Sequence, residues 1–176
     1  MKLSTDVAAP LVAAANRHGL DPCVLAALVM QESGSKRRAV RYEPAYRWVW
    51  DCRDTKPFRR LTADEYLSDE PPADFFGPAG AVSQDEWCGQ RTSWGLCQVM
   101  GATARELGFD GPSFYALWDI HRNLELGARF LERLSRKWDI SDAISAYNAG
   151  APTEKNEATY VRPVLRMAET FRREGF

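Results

Sequence analysis

The sequence has few of the residues that build metal centres or disulfide frameworks. Its 176 residues include two histidines, His18 and His121, and neither belongs to an HExxH pattern. The four cysteines, none of them in CxxC spacing, are Cys23, Cys52, Cys88 and Cys97. We therefore expect no metal site and no cofactor. Free, partly buried thiols are expected, with a Cys52–Cys88 bridge as the weaker alternative.

The sequence also lacks a charge excess and a long apolar run. Lys and Arg number 23 against 24 Asp and Glu, a net charge of -1, whereas a general nucleic-acid binder has a clear basic excess. No apolar run approaches the roughly 18 residues of a membrane-spanning helix. We expect neither nucleic acid nor stable membrane insertion. The polar start Ser4–Asp6, followed by Pro10, has no export-signal core, which predicts synthesis in the cytoplasm without a signal peptide.

Helical periodicity is the main pattern that is present. Neither a G-x-S-x-G elbow nor a phosphate-binding glycine loop occurs, but hydrophobic residues make up 45% of the chain. This composition predicts one packed domain over residues 1–176. Apolar residues recur at helical spacing along most of the chain, so we expect a mainly α fold. Helices are expected to begin near residues 7, 22, 62, 93, 119, 141 and 157.

A segment at about residues 35–92 differs from the rest in its charge pattern. Residues 36–60 carry nine Lys and Arg, whereas residues 61–90 carry none and contain seven acids. The opposite charges of the two halves predict that they pack on each other. The strand candidates of the chain lie in this segment, around Tyr46–Trp50, so a short β element is expected there.

Glu32 is the acid whose position points most directly to chemistry. It ends an apolar helix that begins at Pro22, and it is flanked by Gln31 and Ser33. The negative end of the helix dipole and nearby apolar surface both favour its protonated form, which a general acid needs at neutral pH. On position alone, a solvated glutamate on the last helical turn is the commoner explanation.

Short motifs in a fixed order change that assessment. They are GLDP (19–22), AAL (26–28), QESG (31–34), SWGLCQVM (93–100), TA (103–104), LG (107–108), NLELG (123–127), AYNAG (146–150) and YV (160–161). Together they resemble the soluble lytic transglycosylase (SLT) family across residues 19–165. The chain is most similar to the phage and prophage branch of that family, which includes endolysins and virion-associated wall lysins.

The resemblance implies a lysozyme-like helical domain that cuts peptidoglycan at the β-1,4 bond between N-acetylmuramic acid and N-acetylglucosamine. Glu32 would protonate the glycosidic oxygen and then act as base on the muramic C6 hydroxyl, which closes a 1,6-anhydro ring. The muramic 2-acetamido group would stabilise the cationic centre. By family position, Tyr147 would hydrogen-bond and orient Glu32. Ser93, Gln98 and Asn148 would line the saccharide cleft.

The chain departs from the family pattern at two places. Cys97 stands where methionine is usual, beside the expected sugar site. The segment at about residues 35–92 is an insertion relative to compact members, and its RYEP run (41–44) resembles some phage members. The insertion has four aromatic residues that either stack on sugar rings or form its own small core: Tyr42, Tyr46, Trp48 and Trp50.

A hydrolytic outcome at the same bond is the alternative reaction, since glycosidases usually employ two carboxylates. Glu43, Asp51 or Asp54 could position a water molecule for lysozyme-type hydrolysis. Glu43 is the best candidate. Because Arg41 and Arg47 are its neighbours in the sequence, however, an ion pair is the commoner explanation for a glutamate at this position.

Two further classes of function follow from the sequence. A non-catalytic wall-binding phage protein would not need the set of Glu32, Gln98 and Tyr147. A membrane-active C-terminal helix would use its recurrent arginines, but interspersed glutamates make an ordinary solvated helix face the better interpretation. We expect a monomer that acts on the glycan strands of the cell wall.

Overall fold

The computed structural model describes residues 3–176, and helices dominate this part of the chain. The α-helices are α1 (Thr5–Arg17), α2 (Pro22–Ser33), α3 (Ala63–Leu67), α4 (Ser83–Gln90), α5 (Gly101–Glu106), α6 (Ile120–Ser135), α7 (Ile140–Ala149), α8 (Glu154–Asn156) and α9 (Arg162–Arg173). A 3₁₀ turn (Phe114–Trp118) precedes α6, and a π-helical turn (Glu157–Val161) joins α8 to α9. The predicted mainly α fold is confirmed.

The central helix of the core is α2. Its residues Cys23–Val29 are all buried, so neighbours cover the helix on every side rather than along one face. The neighbours of α2 include α9 and α1, and α6 in turn packs against α1 and α7. The last residues of the helix, Met30–Ser33, are partly exposed. The helix therefore runs through the core and brings its C-terminal turn to the surface.

Side-chain caps determine where two of the later helices begin. Asp119 accepts a hydrogen bond from the Arg122 N–H at 2.9 Å, which is the start predicted for α6. The start predicted for α7 at Ser141 is wrong. Asp139 caps that helix instead, accepting from the Asp142 N–H at 2.9 Å. An aspartate caps as well as a serine, and Asp139 is the earlier of the two in the chain.

A small antiparallel sheet interrupts the helices. Its strands are β1 (Val40–Tyr42), β4 (Thr92–Trp94) and β5 (Val99–Met100), in the order β1-β4-β5. The helix predicted from Ser93 is therefore wrong, because α5 begins only at Gly101. Residues 91–97 are buried throughout, so the apolar spacing there does not mark one face of a helix.

The insertion contains the short β element that the sequence predicts. Besides β1 it holds a hairpin of β2 (Trp50–Asp51) and β3 (Lys56–Pro57). Most of the predicted strand at Tyr46–Trp50 is wrong, since only its last residue pairs. The insertion has a small apolar cluster of its own, formed by Val49, Leu61, Phe75 and Trp87.

The two charged halves of the insertion pack on each other as expected. Arg59 in the basic half contacts Glu65 at 2.6 Å and Asp74 at 2.7 Å in the acidic half. Arg53 also donates to the Asp74 carbonyl oxygen at 3.1 Å. All four cysteines carry free thiols, so the bridge considered between Cys52 and Cys88 is absent.

Candidate active site

Glu32 lies on the last turn of α2, where the buried helix emerges. Gly34 ends the helix in a left-handed conformation at φ 59°, which glycine adopts without a steric penalty. The neighbouring Ser33 hydroxyl donates to the Leu96 carbonyl oxygen at 2.8 Å. This contact ties the end of α2 to the loop between β4 and β5.

The hydroxyl of Tyr160 donates a hydrogen bond to Oε1 of Glu32. Tyr160 lies in the π-helical turn that precedes α9, and such turns are frequent at functional sites because they change the direction of one side chain within a helix. The sequence motif at residues 160–161 pointed to this region. Its helical spacing, however, indicated only an inward-facing tyrosine and gave no sign of the π turn.

The predicted hydrogen bond from Tyr147 to Glu32 is wrong. The Tyr147 hydroxyl donates to the Cys97 carbonyl oxygen at 2.8 Å, and the side chain is buried. Burial is the larger cause of the raised pKa of each tyrosine, and the charge of Glu32 adds to it in both. The two side chains therefore lie in the electrostatic surroundings of the same carboxylate. The α7 backbone therefore places Tyr147 under the β4–β5 loop, while the π turn brings Tyr160 to the carboxylate.

The surroundings of Glu32 favour its protonated form. Burial is the largest effect and raises the pKa of the carboxyl group. The hydrogen bond from Tyr160 and the positive charge of Arg41 oppose it, but the pKa of Glu32 remains above the ordinary glutamate value. The group therefore keeps a proton at a pH where an exposed glutamate has lost it.

Ser93 and Gln98 come together at the sheet. The Ser93 hydroxyl donates to Gln98 Oε1 at 2.9 Å. The Gln98 amide nitrogen donates to the carbonyl oxygens of Gly95 at 2.9 Å and Ala39 at 3.1 Å. Gln98 has a positive φ of 46°, a conformation uncommon outside glycine, and its hydrogen bonds hold it at the turn between β4 and β5.

Asn123 and Gly127 of the NLELG motif pack against this turn. Asn123 Oδ1 accepts from the Cys97 N–H at 2.8 Å, and Asn123 Nδ2 donates to the Trp94 carbonyl oxygen at 2.9 Å. A Cβ atom at Gly127 would lie 2.4 Å from Cys97 Sγ, so glycine is required for the close packing. Cys97 is fully buried, as expected for a small core residue.

Asn148 and Glu43 have local partners of their own. Asn148 is exposed, and its Oδ1 accepts from Asn156 Nδ2 at 3.1 Å. Glu43 Oε1 lies 2.5 Å from Arg41 Nε, which is the ion pair that the sequence favoured, although the contact lacks hydrogen-bond geometry. Arg41 thus acts electrostatically on Glu43 and, as its effect on the pKa indicates, on Glu32. The sequence did not single out this role of Arg41.

A family model for the transglycosylase SLT domain matches residues 10–164. The chain belongs to the SLT transglycosylase family. Members of this family are lytic transglycosylases that act on peptidoglycan, so this SLT protein is a peptidoglycan-degrading enzyme with a lysozyme-like helical domain. A comparison with curated proteins finds no match.

Two other features of the SLT protein concern what it could bind. Within residues 3–176, no cluster of three or more His, Cys, Asp or Glu side chains is arranged to hold a metal ion. In the same part of the chain, each helix is too short or too polar to cross a membrane. The peptidoglycan substrate fits the family assignment.

Proposed function

We propose that Glu32 is the single acid and base of a lytic transglycosylation at the β-1,4 bond between N-acetylmuramic acid and N-acetylglucosamine. The bond from muramic C1 to the glycosidic oxygen breaks, and Glu32 gives its proton to that oxygen. The muramic C6 hydroxyl then bonds to C1, and its proton returns to Glu32. The products are a free N-acetylglucosamine hydroxyl and a 1,6-anhydromuramic end, and no water is consumed.

The surroundings of Glu32 carry this proposal. Burial raises the pKa of its carboxyl group, while the hydrogen bond from Tyr160 and the charge of Arg41 lower it by less. Within residues 3–176, the groups that shift the pKa of Glu32 include no second carboxylate. A paired carboxylate would raise the pKa of its neighbour by repulsion, so this electrostatic environment supports a one-carboxylate mechanism.

The three carboxylates considered for hydrolysis are engaged elsewhere. Glu43 contacts Arg41, and Asp54 contacts Lys56 at 2.7 Å. Asp51 is buried and accepts from the Arg53 N–H at 2.9 Å within a turn. Each therefore has a local structural explanation, which favours the anhydro product over lysozyme-type hydrolysis.

Replacing Glu32 with glutamine tests the assignment against Glu43. Glu32→Gln keeps an acceptor for Tyr160 but has no proton to transfer, so we expect turnover of purified peptidoglycan to fall about 10²-fold or more. Glu43→Gln removes the best alternative carboxylate and should change turnover by only a few-fold. Near-normal turnover of a folded Glu32→Gln protein, with thermal unfolding as the check on folding, would overturn the proposal.

We assign the other predicted residues to the glycan cleft around Glu32. Ser93 and Gln98 shape the β4–β5 turn beside Tyr147, and the exposed Asn148 at the end of α7 is available to a saccharide hydroxyl. These residues bind or orient the strand, whereas the Tyr147 hydroxyl supports the turn through Cys97. Substitution of Asn148 by alanine should therefore raise KM more than it lowers kcat.

The biological setting we propose is a phage or prophage wall-lysis protein, acting as a single-domain monomer with an insertion at about residues 35–92. The similarity of the RYEP run (41–44) to some phage members supports this branch. Lysis of chloroform-permeabilised Gram-negative cells by the wild type but not by Glu32→Gln would agree with it. Sedimentation of the purified protein as a dimer would contradict the monomer.

A further inference from the structure

A cavity of about 740 Å³ opens between the insertion and α5. Ligand sites in proteins occupy roughly 300–1,000 Å³, so this cavity is large enough for a small ligand or part of a polymer. We call it the insertion cavity. Its walls come from residues 46–50, 57–61, 63 and 66 on one side and from Ala102, Thr103 and Glu106 on the other. None of the residues assigned to the Glu32 site lines it.

Aromatic side chains form much of the wall. Tyr46, Trp48, Trp50 and Tyr66 all line the cavity. Tyr66 also packs against the small apolar core of the insertion, whereas the other three do not belong to that core. Trp48 is the most exposed of the four, at 78%. Most of its indole ring therefore makes no contact with the described residues.

Trp48 is exposed on a fixed backbone rather than on a loose loop. The next residue, Val49, is buried and accepts from the Phe58 N–H at 2.9 Å. Trp50 then exchanges two hydrogen bonds with the buried Gln90, at 2.6 Å and 2.9 Å. An aromatic platform held in this way loses little conformational freedom when a ligand stacks on it.

The charges around the cavity are not balanced. Arg59 is paired with Glu65 and Asp74, and Glu106 is paired with Arg133 at 2.8 Å. The remaining charged wall residues are the exposed Arg47 and Arg60. Within the part of the chain that the structure describes, neither has a carboxylate within ion-pair distance.

We propose that the insertion cavity is an accessory binding site for a peptidoglycan strand. A sugar ring stacks on Trp48, and carboxylates of the stem peptide pair with Arg47 and Arg60. Peptidoglycan supplies both groups together, because the stem peptide with its free carboxylates is attached to a sugar of the strand. Arginine suits the task because its planar guanidinium binds carboxylates through two parallel hydrogen bonds.

This inference rests on the proposed function, since its ligand is the substrate polymer of the Glu32 site. A second contact on the same strand would convert each return to the Glu32 site into an intramolecular event, so the enzyme would stay on the insoluble wall. The insertion would then increase retention and would have little effect on the chemical step.

The test is cosedimentation of the full chain with purified sacculi, using Glu32→Gln as the parent so that the strands are not consumed. Trp48→Ala and Arg60→Gln are added to that parent. The matched controls are Tyr115→Ala, another aromatic residue that is 64% exposed, and Arg166→Gln, another exposed arginine. Each protein is also tested on glycan strands from which an amidase has removed the stem peptides.

We expect Trp48→Ala to weaken binding about tenfold to both substrates, which is the effect of one good stacking contact. Arg60→Gln should weaken binding several-fold to intact sacculi and should have no effect on stripped strands. The control variants should bind as the parent does. If Trp48→Ala and Arg60→Gln both bind sacculi as well as the parent does, the proposed site is wrong. If Arg60→Gln loses as much affinity for stripped strands as for intact sacculi, its partners are not the stem-peptide carboxylates.

A separate measurement distinguishes failure of this inference from failure of the proposed function. With Glu32 intact, Trp48→Ala should lower turnover of sacculi but leave kcat on a short soluble glycan within about twofold of the wild type. Loss of kcat on the short glycan would place Trp48 in the Glu32 site and overturn the accessory role. A wild type that binds sacculi through Trp48 but releases no fragments would contradict the proposed function alone.

Discussion

The helical part of the molecule and the insertion are held together in different ways. The helices pack around α2, whose residues Cys23–Val29 are buried among apolar neighbours. The insertion has an apolar cluster of only four buried residues and depends on buried polar groups for the rest. Apolar packing is non-directional and tolerates small shifts, whereas a buried polar group must keep each partner.

The central polar contact of the insertion joins its Glu86 to Arg105 of α5 in an ion pair. Both side chains are 1% exposed, and they meet at 2.6 Å. Arg105 also donates to the carbonyl oxygens of Phe109 and Gly111, each at 2.8 Å. Gln90 donates to the same glutamate at 2.8 Å and bonds the backbone of β2. This network joins α4, α5 and the β2–β3 hairpin.

The largest expected effect is on stability, when one partner of this pair is removed. Arg105→Met leaves the Glu86 charge buried without its counterion, so we expect a loss of about 3–5 kcal/mol in the free energy of unfolding. Chemical denaturation measures the loss. Hydrogen exchange should show lost protection in the insertion before the helices around α2.

An exposed ion pair is the control for that comparison. Arg136 contacts Glu132 at 2.5 Å but its side chain is 75% exposed, so Arg136→Gln should cost less than about 1 kcal/mol. If the two substitutions cost the same, or if Arg105→Met loosens the helices as readily as the insertion, the contrast between the two regions fails.

The next effect is on activity and compares the two tyrosines. Tyr160→Phe removes the hydrogen bond to Glu32, and bonds to charged groups contribute about 1.5–3 kcal/mol, so kcat should fall about tenfold to a hundredfold. Because the Tyr160 hydroxyl lowers the pKa of Glu32, its loss should also move the alkaline limb of the kcat/KM profile to higher pH.

Tyr147→Phe is the matched control on the other tyrosine. It removes a bond to the Cys97 carbonyl oxygen, so it should destabilise the fold and leave the alkaline limb where it is. A shift of the limb in Tyr147→Phe, with none in Tyr160→Phe, would restore the role that the sequence assigned to Tyr147.

The smallest effect concerns a polar contact within the helical part. His18 lies between Glu132 and Glu125, each 2.7 Å from a ring nitrogen. Burial lowers the pKa of His18, but the two carboxylates outweigh it and the pKa is raised. The stability from this contact is therefore complete below the unfolded value near 6.5 and is lost as pH rises through the folded pKa.

We expect His18→Gln to lower the free energy of unfolding by about 0.5–1 kcal/mol at pH 6 and by less at alkaline pH. Unfolding curves of the wild type and of His18→Gln at several pH values measure this difference. A His18→Gln deficit that grows with pH would show that the ring is held neutral.

Much of the helical part was predictable from the sequence because its signals are local. The apolar run of α2, its end at Gly34 and the cap at Asp119 depend on residues close together in the chain. The motif order also predicts that Glu32, Ser93 and Gln98 share one region, and the contact of Ser33 with Leu96 brings the end of α2 to the loop that contains Gln98. The pairing of β4 with β1 was not predictable, because Ser93 and its partner Arg41 are separated in the chain by almost the whole insertion.

The misassigned tyrosine has a similar physical cause. Helical spacing predicts that Tyr147 and Tyr160 both face inward. Which of the two hydroxyl groups reaches Glu32 depends on the tertiary packing, which the spacing does not specify. The π turn at Glu157–Val161 has no clear sequence pattern, yet it changes the direction of Tyr160. The fold was therefore more predictable than the hydrogen bonds of the site.

The most direct test of the central claim is the chemical nature of the ends that the wild type produces from purified peptidoglycan. Anhydro and reducing muramic ends differ in mass by one water, and borohydride reduces only the latter. A mechanism with a single carboxylate, held by Tyr160, predicts that muropeptides with 1,6-anhydro ends form from the first minutes of digestion. Borohydride should leave these ends unchanged. Mainly reducing ends, heavier by one water and lost when Glu43 is replaced with glutamine, would contradict the account.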